Sequence, residues 1–255
     1  MPNVIRPLEI FSKAAARSSC VWLGECAARS GERACWQWMW NGGESLVHNC
    51  NCFLHFSHNC RSGELQSPTA ICGHVKGLGE LTKKLYREKQ CEFAADLNEN
   101  RSDLIDSLDF LRGAKAVPTI VVLGGISGRA DRMLATLHAL VLSQSLSSRA
   151  FIPPFIFVLD GDNLLCVLRQ GSHRFQFDRS HLTDVCGIAP ICQSETLVTT
   201  SGFRWNLQRS PLSFAEVIST SNELTSEEIT VNNSAPVILT FELLSSITGL
   251  TEPPK

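Results

Sequence analysis

The chain has 255 residues, a formal net charge of −2 at pH 7, 44% hydrophobic residues and 19% charged ones. That balance specifies a globular protein with one large core or two modest ones, and it excludes a disordered chain. The near-neutral charge, with no long basic run, excludes general nucleic-acid binding. The longest apolar stretch, 151–168, is cut by Pro153, Pro154, Asp160 and Asp162, which excludes a membrane span.

The N-terminus lacks the charged, apolar and small-residue succession of a secretory signal. Lys13, three alanines, Arg17 and two serines have the composition of a weak mitochondrial presequence, against which Glu9 counts. Eleven cysteines is an odd count, and eight of them lie at or before Cys91. Without a secretory signal, reduced thiols and a cytoplasmic protein are the expectation.

Residues 14–72 are compositionally atypical. Trp36, Trp38 and Trp40 alternate as side chains on one face of a strand do. His48, Cys50, Cys52, His55, His58 and Cys60 supply zinc-ligand chemistry, but not at the paired spacing of structural zinc sites, so a divergent loop is the competing reading. Leu78, Leu81 and Leu85 then predict a helix, with Glu80 and Lys84 paired on its flank. A second helix is predicted from Ser102, its N-cap, with Leu104, Leu108 and Leu111 as the apolar stripe. Asp103 and Asp106 suit the positive end of that helix.

Thr119–Leu137 has the form of a βα unit. Ile120–Leu123 make a buried strand, Gly124, Gly125 and Gly128 a turn, and Leu134, Leu137 and Val141 a helix stripe. Glycines admit close approach of an anion, and Arg129 offers a fork of donors suited to phosphate, although neither the dinucleotide nor the phosphate-loop pattern fits. Alternation of strand and helix predicts an α/β domain with a mostly parallel sheet.

The period changes after about Phe155. Phe155–Leu159 and Leu164–Leu168 flank Asp160-Gly161-Asp162-Asn163, a hairpin signal. Arg174–Phe177, Thr196–Thr200 and Ile229–Val231 follow as further short strands. The division expected is an α/β domain over 1–158 and an all-β domain over 159–255.

Four blocks then resemble eukaryotic-type thiamine pyrophosphokinase. Gly124-Gly125-Ile126-Ser127-Gly128-Arg129-Ala130-Asp131 resembles its GG-x-x-GR-x-D segment, and Gly171-Ser172-His173-Arg174 its PG-x-HR turn. Thr199–Leu207 (TTSGFRWNL) resembles its TT-x-GL-K-WNL block, and Ile218–Asn222 (ISTSN) its VSTSN block. The resemblance implies an α/β domain followed by a β-sandwich, working as a homodimer with sites shared across the interface. It implies transfer of a diphosphate from ATP to thiamine, giving thiamine diphosphate and AMP, with Mg²⁺ as cofactor. By the same resemblance Trp205 stacks on thiamine, a flat cation suited to an indole face. Ser219, Thr220, Ser221 and Asn222 would orient the vitamin. Gly42, Gly43, Gly124, Gly125, Ser127, Gly128 and Arg129 would lie near the nucleotide, and Asp103, Asp131 and Arg129 would form the catalytic set. Taken without the resemblance, Trp205 reads as an ordinary buried aromatic, 219–222 as a turn, and His173 as a structural histidine.

The chain departs from the family where Mg²⁺ would bind. DGGAN becomes Asn41-Gly42-Gly43-Glu44-Ser45, GDFDS becomes Gly73-His74-Val75-Lys76-Gly77, and D-x-D-x-TD becomes Asn98-Glu99-Asn100-Arg101-Ser102-Asp103. Of those aspartates Asp103 alone survives as a metal ligand. A Lys at position 76 places a cation where the family keeps an anion; like charges about 4 Å apart repel by about 4 kcal/mol at a dielectric of 20. The alternative is therefore a catalytically silent homologue that binds thiamine or nucleotide, with Lys76, Arg101 and Arg129 as fixed counter-charges for phosphate.

Overall fold

A computed structural model describes residues 4–5, 18–23, 51–56, 70–73, 80–94, 101–114, 119–145, 154–192, 195–214 and 216–244. In chain order the described elements begin with β1 (Val4–Ile5), β2 (Ser18–Leu23), β3 (Asn51–Phe56), β4 (Ala70–Gly73), α1 (Glu80–Glu88), β5 (Glu92–Ala94) and α2 (Asp103–Ala114). There follow β6 (Thr119–Leu123), α3 (Ala130–Ser145), β7 (Phe155–Asp160), β8 (Asn163–Leu168), β9 (Gly171–Gln176) and β10 (Leu182–Pro190). The last are β11 (Thr196–Ser201), β12 (Ser210–Leu212), β13 (Ser219–Glu223), β14 (Glu228–Asn233) and β15 (Val237–Leu243). The chain forms two compact units, one of Ala16–Gly161 with Thr248–Lys255 and one of Met1–Ala15 with Asp162–Ile247.

The first unit is α/β. Its strands lie in the order β7-β6-β2-β3-β4-β5. β7 with β6, β6 with β2, and β4 with β5 are parallel, while β3 runs against both of its neighbours. Ile120 and Val122 of β6 and Ile156, Phe157 and Val158 of β7 are fully or almost fully buried, as central strands covered on both faces require. Ser102 caps α2, its Oγ accepting from the Ile105 N–H at 3.4 Å. Leu104, Leu108 and Leu111 are buried on one side of that helix, and α2 packs against β4. The stripe and the cap both follow the sequence pattern.

The second unit is all-β. β13, β10, β15 and β8 pair in that order, and a second sheet runs β1-β9-β14-β11-β12. Except for the parallel β1–β9 pair, the registered neighbours are antiparallel. Phe175 and Phe177, at the second sheet, meet Phe241 of the first with ring centroids 6.4 and 4.7 Å away. Those rings fill the space between the two sheets, which makes the unit a β-sandwich.

Several expectations are corrected. The run Phe155–Leu159, which opens the hairpin signal, pairs in parallel with β6 and is part of the α/β sheet. A continuous apolar run suits a buried parallel strand as well as a sandwich strand, and pattern alone does not separate them. In α1, Leu81 and Leu85 stay exposed, and Glu80 pairs with Lys83 at 2.8 Å rather than with Lys84. In α3 the buried face is Thr136, Ala139, Leu140 and Ser143, with Leu134 exposed. Three of those four residues are small or polar, so a search for large apolar residues passes over that face. Cys72, Cys91, Cys166, Cys186 and Cys192 are free thiols. Burial pushes the Cys72 thiol up to about 12, which makes it inert. Trp36, Trp38, Trp40, His48, Cys50, His58 and Cys60 lie outside the described residues, as do the side chains of Cys52 and His55.

Candidate functional site

Each unit carries one of the sequence-predicted sites. In the α/β unit the segment after β6 turns through Gly124 (φ +76°), Gly125 (φ +102°) and Gly128 (φ +86°), a left-handed succession that side-chain-bearing residues resist. The Gly124 N–H donates to Leu159 O at 2.8 Å, tying the start of the turn to β7. Arg129 O then accepts from the N–H groups of Arg132 and Met133, opening α3. The Arg129 guanidinium forks onto Asp131, Nε to Oδ1 at 3.0 Å and Nη2 to Oδ2 at 2.6 Å, and both side chains are exposed. That fork holds the Asp131 carboxyl below its ordinary pKa.

Sequence reasoning missed Asp160. It is 4% exposed at the end of β7, and its Oδ2 accepts from the N–H groups of both Ile126 and Ser127 at 2.8 Å. Its Oδ1 accepts from Ser127 Oγ at 3.0 Å. Asp160-Gly161-Asp162 looked like turn residues; the signal available was a carboxylate directly after five apolar residues, where a buried strand ends.

Asp103 lies in the first turn of α2, as predicted. Arg101 just before that helix is held by Asp106, with Nε 3.5 Å from Oδ1, and by Asp109. Arg101 and Arg129 are thus both engaged by carboxylates, and neither is presented as an isolated counter-charge for phosphate. Gly42, Gly43, His74, Lys76, Asn98 and Asn100 lie outside the described residues. Among the described residues no three His, Cys, Asp or Glu side chains gather as a metal site.

The β-sandwich carries the second site. Between β11 and β12 the chain makes an excursion whose own polar side chains fix it. Thr200 Oγ1 accepts from the Leu207 N–H at 2.8 Å and Thr199 Oγ1 from the Arg209 N–H at 3.0 Å. Asn206 accepts from the Phe203 N–H at 3.2 Å and donates to Phe203 O at 2.9 Å. Gly202, at φ +84°, leaves no room for a side chain, because a Cβ there would meet Glu228 O at 2.5 Å. The result is a stiff loop that presents Trp205 with 54% of its surface exposed.

Asn222, on β13 and 3% exposed, grips Trp205 from both sides of its peptide. Its Oδ1 accepts from the Trp205 N–H at 3.2 Å and its Nδ2 donates to Trp205 O at 3.0 Å. The same side chain takes the Glu223 N–H at 2.9 Å and donates to Ser219 Oγ at 3.2 Å. Asn222 therefore positions the indole, while Thr220 and Ser221 are exposed beside it. Two further residues had no sequence signal. Arg204 lies over the Trp205 ring at 4.8 Å, and its Nη1 donates to both carboxylate oxygens of Glu223 at 3.0 and 2.8 Å. His173 is 9% exposed, bonded to Arg169 O at 2.8 Å, and burial lowers its pKa, as suits a structural histidine.

Comparison with known proteins adds independent support. "Thiamin pyrophosphokinase, catalytic domain" matches residues 43–152, and "Thiamin pyrophosphokinase, vitamin B1 binding domain" matches residues 172–238. Thiamin pyrophosphokinase 1 of Caenorhabditis elegans is 28% identical over 249 residues, covering 95% of this chain and 96% of the relative. Thiamine pyrophosphokinase 3 of Oryza sativa subsp. japonica is 27% identical over 185 residues, 69% of this chain and 66% of the relative. The crystal structure of yeast thiamin pyrophosphokinase superposes with a TM-score of 0.58 at 19% identity, over 72% of this chain and 73% of that one. Thiamin pyrophosphokinase from Candida albicans gives a TM-score of 0.58 at 15% identity, over 69% and 73% of the two chains. The structural likenesses establish the fold. With both domain descriptions matched in order along the chain, this protein belongs to the thiamin pyrophosphokinase family.

Proposed function

We propose that the chain transfers diphosphate from ATP to thiamine, yielding thiamine diphosphate and AMP. In that reaction the thiamine hydroxyl oxygen bonds to the β-phosphorus, the α–β bridging bond breaks, AMP leaves, and the hydroxyl proton passes to solvent. The enzyme's work is positioning and charge stabilisation. The observation that carries the reading is the half-exposed Trp205 indole, its peptide clamped by Asn222 beside Ser219, Thr220 and Ser221. An indole face of that kind suits a flat heteroaromatic cation. In this reading Ser219, Thr220 and Ser221 orient thiamine, and Asn222 acts through Trp205. Gly124–Arg129 and Asp131 take the nucleotide side together with Gly42 and Gly43, and Asp103 offers a carboxylate to a metal that accompanies ATP. A homodimer is part of the same reading. Phe214, Val217 and Ile218 are exposed apolar residues before β13, a cluster that a second copy would cover.

The test is incubation of the full chain with ATP, Mg²⁺ and thiamine. Equal amounts of AMP and thiamine diphosphate are expected. If neither product forms while calorimetry still records thiamine binding, the chain is the silent homologue. Light scattering reads the oligomer, for which twice the 28.1 kDa chain mass is expected.

A further inference from the structure

We propose that Asp160 is a positioning residue for the nucleotide side of the site, acting as the loop's built-in anion. The inference rests on the reading of Gly124–Asp131 as nucleotide-facing. Three glycines with positive φ curl the turn so that the N–H groups of Ile126 and Ser127 converge on one point. Such a concave pair of donors is an anion seat. The seat holds the Asp160 carboxylate, carried in from the end of β7, with Ser127 Oγ closing on its second oxygen. Burying a carboxylate is costly unless its oxygens are satisfied, and here three charge-assisted bonds satisfy it. The loop and the aspartate therefore fix one another.

A consequence for recognition follows. In a phosphate-cradling loop the main-chain donors meet the ligand. Here two of them are already spent on Asp160, so a phosphate does not take that seat. What the loop offers outward is the Arg129–Asp131 pair, whose side chains are 63% and 65% exposed. Asp160 fixes where the loop carries them without touching the nucleotide.

The experiment compares ATP and thiamine affinities of the full-length wild type with Asp160→Ala and Asp160→Asn, by equilibrium dialysis with Mg²⁺. The alanine variant is expected to weaken ATP binding at least tenfold and to leave thiamine binding within twofold. The asparagine variant is expected to stay within threefold for both, because its Oδ1 can accept from both N–H groups while its Nδ2 donates to Ser127 Oγ. Should the alanine variant fail to fold, Asp160→Glu, which displaces the carboxylate by one methylene, is expected to lose about tenfold in ATP affinity. A folded Asp160→Ala with wild-type ATP affinity overturns the inference. So do equal ATP losses in the alanine and asparagine variants, or thiamine and ATP affinities that fall together. A wild type that binds ATP but releases no AMP removes the proposed reaction and leaves this inference standing; a wild type that binds no ATP overturns the inference itself.

Discussion

Replacing Asn222 with alanine tests whether the sandwich is built to present Trp205. The change removes four hydrogen bonds: two to the Trp205 peptide at 3.2 and 3.0 Å, one from the Glu223 N–H at 2.9 Å and one to Ser219 Oγ at 3.2 Å. At a net worth of about 0.5–1.5 kcal/mol each the sum is about 2–6 kcal/mol. Trp205 and Ser219 are partly exposed and recover water, so about 3 kcal/mol is the working figure. In a chain of this length that lowers Tm by about 10 °C. Releasing the Trp205 peptide also frees the indole from its fixed position, and thiamine affinity should fall at least about tenfold, or 1.4 kcal/mol. Circular dichroism melts read the first effect and isothermal calorimetry with thiamine the second. A melting point within about 2 °C of wild type refutes the clamp. A lowered melting point with unchanged thiamine affinity refutes the assignment of Trp205 to the ligand.

Trp205→Ala should separate the two roles in the opposite sense, with a small stability loss, because the ring is 54% exposed, and at least about a tenfold loss of thiamine affinity. Gly202 and Gly128 share almost the same φ, +84° and +86°, but a Cβ meets Glu228 O at 2.5 Å in the first and nothing within 4 Å in the second. Gly128→Ala should therefore cost about 1–2 kcal/mol from backbone strain, and Gly202→Ala about 1–3 kcal/mol more, as read by urea unfolding. Leu108→Ala, in the buried stripe of α2, should cost about 2–5 kcal/mol by the same measurement. His173 carries a lowered pKa because burial disfavours its cation, so the unfolded chain binds the proton more readily than the folded one. Its contribution to stability should be present above the ordinary histidine pKa and fade as pH falls through that value towards the lowered one. His173→Gln should flatten that part of the stability–pH profile.

Much of the local structure was legible from side-chain chemistry. The Ser102 cap and the stripe Leu104, Leu108, Leu111 depend on contacts one helical turn apart, so spacing alone specifies them. The strands of the sandwich and the turn at Gly161 were similarly local. Trp205 and the 219–222 segment were identified through residue blocks, and the structure adds why the blocks look as they do: Thr199, Thr200 and Asn206 tie the loop that carries the indole. By contrast, the helical face that α3 buries was misread, since three of its four buried residues, Thr136, Ala139 and Ser143, are small or polar and escape a search for an apolar stripe. That β7 pairs in parallel with β6 was not legible from its apolar run, because a doubly covered strand and a sandwich strand present the same run.

By itself, then, the sequence determined two kinds of periodicity and the order of the blocks. These depend on neighbours along the chain or on residue identity. Only the tertiary structure decided that Asp160 belongs to the glycine loop 33 and 34 residues before it, and that Asn222 grips Trp205 from 17 residues away. A hydrogen bond across such separations depends on which strands lie side by side. That order is set by how the whole sheet buries its apolar faces, and no local pattern contains it.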